Sequence, residues 1–125
     1  MKAMFVNQQT YSSIRYADLI VNGYKDIETR GRNMLSALVG ERVAVVRTIH
    51  GKKPMIVGYV DVIGASFCKT EDFDKYFNRH CVCFNSKYAP HGKGKWFYYL
   101  ANAEACDPFP LPASAIRHGR SWCEF

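Results

Sequence analysis

The sequence predicts an α+β fold, a strongly bent sheet or small β-barrel of five or six strands with two short flanking helices. Three observations lead there. The chain has 125 residues, which fits one domain spanning 1–125. Hydrophobic residues make up 48% and charged residues 22%, a balance that excludes disorder and low-complexity fibre. Short β-branched and aromatic runs are broken by Gly and polar clusters, and helical periodicity occurs in only two places.

Residues 3–6 read as a short first strand, ended by the polar run Asn7-Gln8-Gln9-Thr10. From Tyr11 to Asn22, Ile14, Ala17 and Val21 fall three and four apart, the stripe of an amphipathic helix. Thr10 or Ser12 is placed to cap its start, and Gly23 to end it in a left-handed turn. Lys25 to Arg30 alternates and reads as a strand. Residues 31–40 connect, with one helical turn near Met34–Leu38. Arg42 to Arg47 is β-branched and reads as a buried strand; His50-Gly51-Lys52-Lys53 turns, and Met55 to Ile63 returns as a hairpin. Gly58 marks a bend or bulge in it. Thr70-Glu71-Asp72 supplies a hydroxyl cap and two acids for a second helix ending near His80, with Phe73, Tyr76 and Phe77 on one face. Residues 85–95 form a loop. Trp96 to Ala101 is an aromatic strand, the prolines at 108, 110 and 112 enforce extension, and Ser121 to Phe125 is a closing strand.

Seventeen Lys and Arg against eleven Asp and Glu leave a net charge of +6. That is either a solubilising surface or the footprint of a polyanionic partner. No stretch approaches the roughly 20 apolar residues of a membrane span. Five cysteines, with no apolar leader before them, read as reduced thiols and place the protein in the cytoplasm.

The most informative stretch runs from Asn22 to Arg30. Alternation puts Lys25, Ile27 and Thr29 on one face and Asp26, Glu28 and Arg30 on the other, so Glu28 and Arg30 are neighbours able to pair. Lys25 joins them only if the strand is bulged or twisted at its start. The competing reading is a solvated edge strand whose charges block edge pairing.

Tyr16 to Arg30 resembles the signature of ASCH domains, the activating signal cointegrator homology domains: a helix followed by Gly-x-Lys-x-x-Glu-x-Arg. The resemblance continues, in the family's order, through Gly40-Glu41-Arg42-Val43, Ile56 to Val62 and Gly119-Arg120-Ser121-Trp122. It implies a PUA-like β-barrel with a cleft between barrel and helices, and RNA or a nucleotide-like molecule as ligand. Some small members are amidohydrolases acting on acetylated cytidine, and one is a ribonuclease. A small hydrolase acting on a modified nucleoside or on RNA is therefore the alternative function. The amidohydrolases work with a Lys, a Thr and a downstream Glu. Lys25 matches the Lys, Glu28 stands where the Thr belongs, and the acid aligns with Glu71 or Asp72. Lys25 and Glu28 are thus the catalytic candidates, without the hydroxyl that an acyl intermediate requires.

For binding, the candidates are Gln8, Gln9, Thr10, Lys25, Glu28, Arg30, Tyr98 and Tyr99. Arg and Lys clamp a phosphate or carbonyl while Glu accepts from an amine or orients the cations. An exposed aromatic beside cations stacks bases, although each ring also suits the core. Arg47, Lys52, Lys53, Lys93, Lys95 and Arg120 lie in or beside loops and form a nucleic-acid rim if those loops share one side. His80-Cys81-x-Cys83 with His91 lacks the second ligand pair of a structural zinc site, so no metal is expected. No cofactor motif occurs, and a protein partner is left open.

Overall fold

A computed structural model gives the structure over residues 1–8 and 13–125. Seven strands carry it: β1 (Lys2–Gln8), β2 (Ile27–Arg30), β3 (Arg42–Ile49), β4 (Met55–Lys69), β5 (Gly94–Pro110), β6 (Ile116–His118) and β7 (Trp122–Glu124). They form one sheet in the order β2-β5-β4-β3-β1-β7-β6. The α+β class holds: among the described residues the sheet has seven strands, against about five or six expected, and it takes the open, bent-sheet form of that reading, with β2 and β6 at its edges.

β1 and β3 are parallel, Ala3 opposite Ala44 and Phe5 opposite Val46; the remaining pairs are antiparallel. Apolar side chains alternate between two cores. Met4, Val6, Val43 and Val45 point to the larger one, and Ala3, Phe5, Ala44 and Val46 to the smaller. Burial on both faces is why these strands read as continuous apolar runs.

Helix α1 (Tyr16–Val21) packs on the larger core through Tyr16, Ala17, Ile20 and Val21. It starts later than Tyr11, and Ile14 lies exposed outside the buried stripe. The proposed caps Thr10 and Ser12 fall outside the described residues. Gly23 does end it, at φ 83°. Gly58 sits where the β3–β4 and β4–β5 registers slip, and a Cβ there would lie 2.3 Å from the Glu104 carbonyl oxygen and 2.7 Å from Val21 Cγ1. Only a residue without a side chain lets α1 come this close.

The second helical segment is a 3₁₀ stretch (Thr70–Tyr76) followed by one turn of α-helix, α2 (Phe77–His80). Thr70 does not cap it; its hydroxyl donates to the Gly92 carbonyl. Phe73 is buried while Tyr76 and Phe77 are exposed, so the expected three-ring face does not form. Phe73 instead stacks on buried His80, 4.0 Å between ring centres. The polar residues Asn7 and Gln8 continue β1 and do not break it.

Candidate functional site

The site is built where α1 ends and β2 begins. After Gly23 the backbone N–H groups of Tyr24 and Lys25 both donate to the Leu19 carbonyl, at 2.9 and 3.0 Å. This tight turn drives Lys25 inward before the strand starts at Ile27. Asp26 anchors the turn from outside through its N–H on the Arg79 carbonyl and an ion pair with Arg79 at 2.9 Å. Lys25 therefore joins Glu28 and Arg30 without a bulge, because it precedes the strand whose alternation would have sent it elsewhere.

Lys25 is 1% exposed. Its ammonium donates to the Ile27 carbonyl at 2.7 Å and to the His80 carbonyl, and pairs with Glu28 Oε1 at 3.4 Å. The Arg30 guanidinium donates to Glu28 Oε2 from Nη2 at 2.9 Å and from Nε at 3.2 Å; Nη2 also donates to the Phe5 carbonyl. The Thr29 N–H donates to Glu28 Oε1 at 3.2 Å. Both Glu28 oxygens are thus engaged by protein donors. Among the described residues, Arg30 Nη1 has no partner.

Burial pushes the Lys25 amine below its ordinary pKa, partly offset by the Glu28 carboxylate. For Glu28, burial pushes upward, but Arg30 and Lys25 outweigh it and hold the carboxyl below its usual range. His80 is a buried prop. Its Nδ1 accepts from the Val82 N–H at 2.9 Å, so Nε2–H donates to the Phe73 carbonyl at 2.8 Å, and burial lowers its pKa.

Over this ionic group lies a cavity of about 220 Å³, lined by Val6, Asn7, Tyr16, Lys25, Glu28, Thr29, Arg30, Gly31, Val82, Tyr88 and Lys95. Tyr16 and Tyr88 meet edge to face, 5.7 Å between centres. Lys95 is half-buried on the wall. Burial lowers its pKa, opposed by the Glu28 carboxylate and reinforced by Arg30 and Lys25. It makes no hydrogen bond or ion pair among the described residues.

The structure brings Lys25, Glu28, Arg30 and Lys95 together. It does not bring in the aromatic strand. Tyr98 is fully buried, its hydroxyl donating to Asn33 Oδ1 at 2.7 Å and accepting from the Leu35 N–H at 3.2 Å. The Tyr99 hydroxyl pairs with Ser66, and Arg79 lies over its ring. Gln8 lines two neighbouring hollows; Gln9 and Thr10 lie outside the described residues.

The rim residues also separate. Arg47 pairs with Asp18 at 3.6 Å, and Lys53 lines a different groove that shares no residue with the cavity. Lys52, Lys93 and Arg120 are exposed and line none of the hollows described. Tyr16 and Tyr88 were missed. Tyr16 was legible on the helix stripe, whereas nothing in the aperiodic loop marked Tyr88. No cluster of three metal-ligating side chains occurs among the described residues.

No family model and no curated protein matches this chain. Solved structures do. A serine-to-alanine mutant of the ASCH protein from Zymomonas mobilis is 19% identical, with a TM-score of 0.66, over 87% of this chain and 74% of that one. A tyrosine-to-phenylalanine mutant of the same protein is 18% identical, with a TM-score of 0.68, over 89% and 77%. A third structure, of ASCH from Zymomonas mobilis, is 18% identical, with a TM-score of 0.64, over 87% and 73%. This chain has the ASCH fold. At such identity the likeness is one of fold, so what the residues of this ASCH fold do rests on their own geometry. No helix among the described residues is long and apolar enough to cross a membrane.

Proposed function

We propose that this ASCH-fold chain binds RNA or a nucleotide-like ligand in the cavity above Lys25, Glu28 and Arg30. Lys95 and Arg30 take an anionic group, and Tyr16 and Tyr88 form the aromatic walls. One observation carries the reading: Lys95 is a half-buried cation on the cavity wall with no hydrogen-bond or ion-pair partner among the described residues, Glu28 acting on it only through its field. A charge withdrawn from water is costly until paired, and a phosphate is the pairing a basic cavity offers. The cavity carries three cations and one acid, and Glu28 is already spent on Arg30 and Lys25.

Two hollows, of about 370 and 330 Å³, share Asn7 and Tyr88 with the cavity and are both edged by Lys87. No acid lines either among the described residues. This continuity supports a strand entering the cavity more than an isolated nucleotide. The hydrolytic alternative needs Lys25 or Glu28 to act on a substrate. The Lys25 ammonium donates to two carbonyls and faces Glu28, and both Glu28 oxygens are engaged by protein donors, which favours binding.

The test is fluorescence anisotropy with a short single-stranded RNA across a salt series. Lys95→Ala should weaken binding about tenfold, the loss of one charge-assisted hydrogen bond, and reduce the log–log salt slope by about 0.7. An unchanged affinity and slope would refute the assignment of Lys95. Absence of binding at low salt would refute the function.

A further inference from the structure

A second surface lies away from the cavity, at the opposite edge of the sheet. β6 pairs only with β7, so among the described residues its outer edge is open. All three of its residues are exposed, and Ile116 is 64% exposed, unusual for a large apolar side chain in a strand. Beside it runs a groove of about 510 Å³, walled by Pro54, Pro110, Leu111 and Ala115 and bounded by Lys53 and Arg117. No Asp or Glu lines it among the described residues. Neither Lys53 nor Arg117 makes an ion pair among them, and the Arg117 guanidinium lies on the Phe5 ring at 4.9 Å.

These features specify a partner. An open strand edge offers alternating backbone donors and acceptors, which an extended chain satisfies. Along such a chain successive side chains point to opposite sides, so acidic residues can enter the groove between Lys53 and Arg117 while apolar ones cover Ile116 on the other face. The groove is poorly suited to nucleic acid. No aromatic ring lines it for base stacking, and the flat face of Arg117 is already used by Phe5.

We propose that the β6 edge and its groove dock an extended acidic peptide segment of a partner protein by strand addition. The site shares no lining residue with the RNA cavity, so it stands or falls independently of that reading.

The probe is a short acetylated peptide alternating glutamate and valine, titrated into isotope-labelled protein and followed by amide NMR shifts. The shifts should fall on Ile116, Arg117, His118, Leu111 and Ala115, and not on Ile27 to Arg30. Lys53→Glu with Arg117→Glu should weaken binding about tenfold through like-charge repulsion. Should Arg117→Glu unfold the protein by releasing Phe5, Lys53→Glu alone should still weaken it, because Lys53 is exposed and makes no ion pair among the described residues. Three results would each overturn the proposal: no shifts at millimolar peptide, equal binding of a lysine–valine peptide, or a single-stranded RNA that shifts the same amides and displaces the peptide.

Discussion

Replacing Lys25 with Met separates a structural role from a ligand-binding one. The side chain is fully buried, and its ammonium serves the Ile27 and His80 carbonyls and Glu28 Oε1. Methionine fills similar volume, so the packing term is small and the polar terms dominate. Breaking a buried ion pair by removing one partner costs about 3–5 kcal/mol. Arg30 still neutralises Glu28 at 2.9 Å, which pulls the figure toward the lower end. The two stranded carbonyls, each worth about 1 kcal/mol, push it back up. We therefore expect a loss of about 3–5 kcal/mol, or roughly 10–20 °C in midpoint for a chain of this size. Urea denaturation followed by circular dichroism measures it. The folded variant, compared below its midpoint, should lose less RNA affinity than Lys95→Ala. A Lys25→Met protein of unchanged stability that no longer binds RNA would refute the donor-by-donor argument and return Lys25 to the ligand.

Gly58→Ala should cost at least about 2 kcal/mol, because the new methyl meets a backbone carbonyl and the Val21 side chain. Gly31→Ala, which meets nothing within 4 Å, is the neutral control in the same denaturation series. His80 gives the acid limb its upper part. Burial holds its pKa below the ordinary 6.5, so below that pH the unfolded chain takes up a proton that the folded chain refuses. Stability should fall as pH drops from 6.5, and His80→Asn should flatten that limb in denaturation midpoints measured from pH 7 down to 5.

Alternation alone placed Glu28 and Arg30 on one face, and Gly23 marked the helix end, because both depend on neighbours in sequence. The entry of Lys25 depends on Leu19 accepting from two N–H groups in a turn, which no periodicity records. Tyr98 lies opposite Glu28 in the β2–β5 register, yet its hydroxyl is claimed by Asn33 and Leu35, more than sixty residues away in sequence. Tyr88 reaches the cavity from a loop and Lys95 from the start of β5, which the sequence reads as loop, so their meeting is defined only by the tertiary fold. β6 escaped notice because its three residues are all exposed and carry no buried period. The 3₁₀ stretch from Thr70 defeated helix-face counting, since three residues per turn place side chains differently from 3.6.

The remaining question is why an acid sits in a basic cavity at all. Three cations without it would repel one another, and the Arg30 guanidinium would lack its lateral support. Glu28 holds that guanidinium by two donors on one oxygen while tying down Lys25 with the other. On this view Glu28 is a positioning residue. Glu28→Gln should then destabilise the protein, because whichever way the amide turns, its NH₂ faces an N–H donor. It also removes the carboxyl whose pKa Arg30 and Lys25 hold low, so the stability that the native protein loses as pH falls below the ordinary 4.5 should no longer be lost in the variant. RNA affinity should drop by the same factor for cytosine-, adenine- and uracil-rich strands. If Glu28 instead accepted from an exocyclic amine of the ligand, the variant would lose cytosine and adenine binding while sparing uracil. That selective loss, with stability unchanged, would overturn the positioning role.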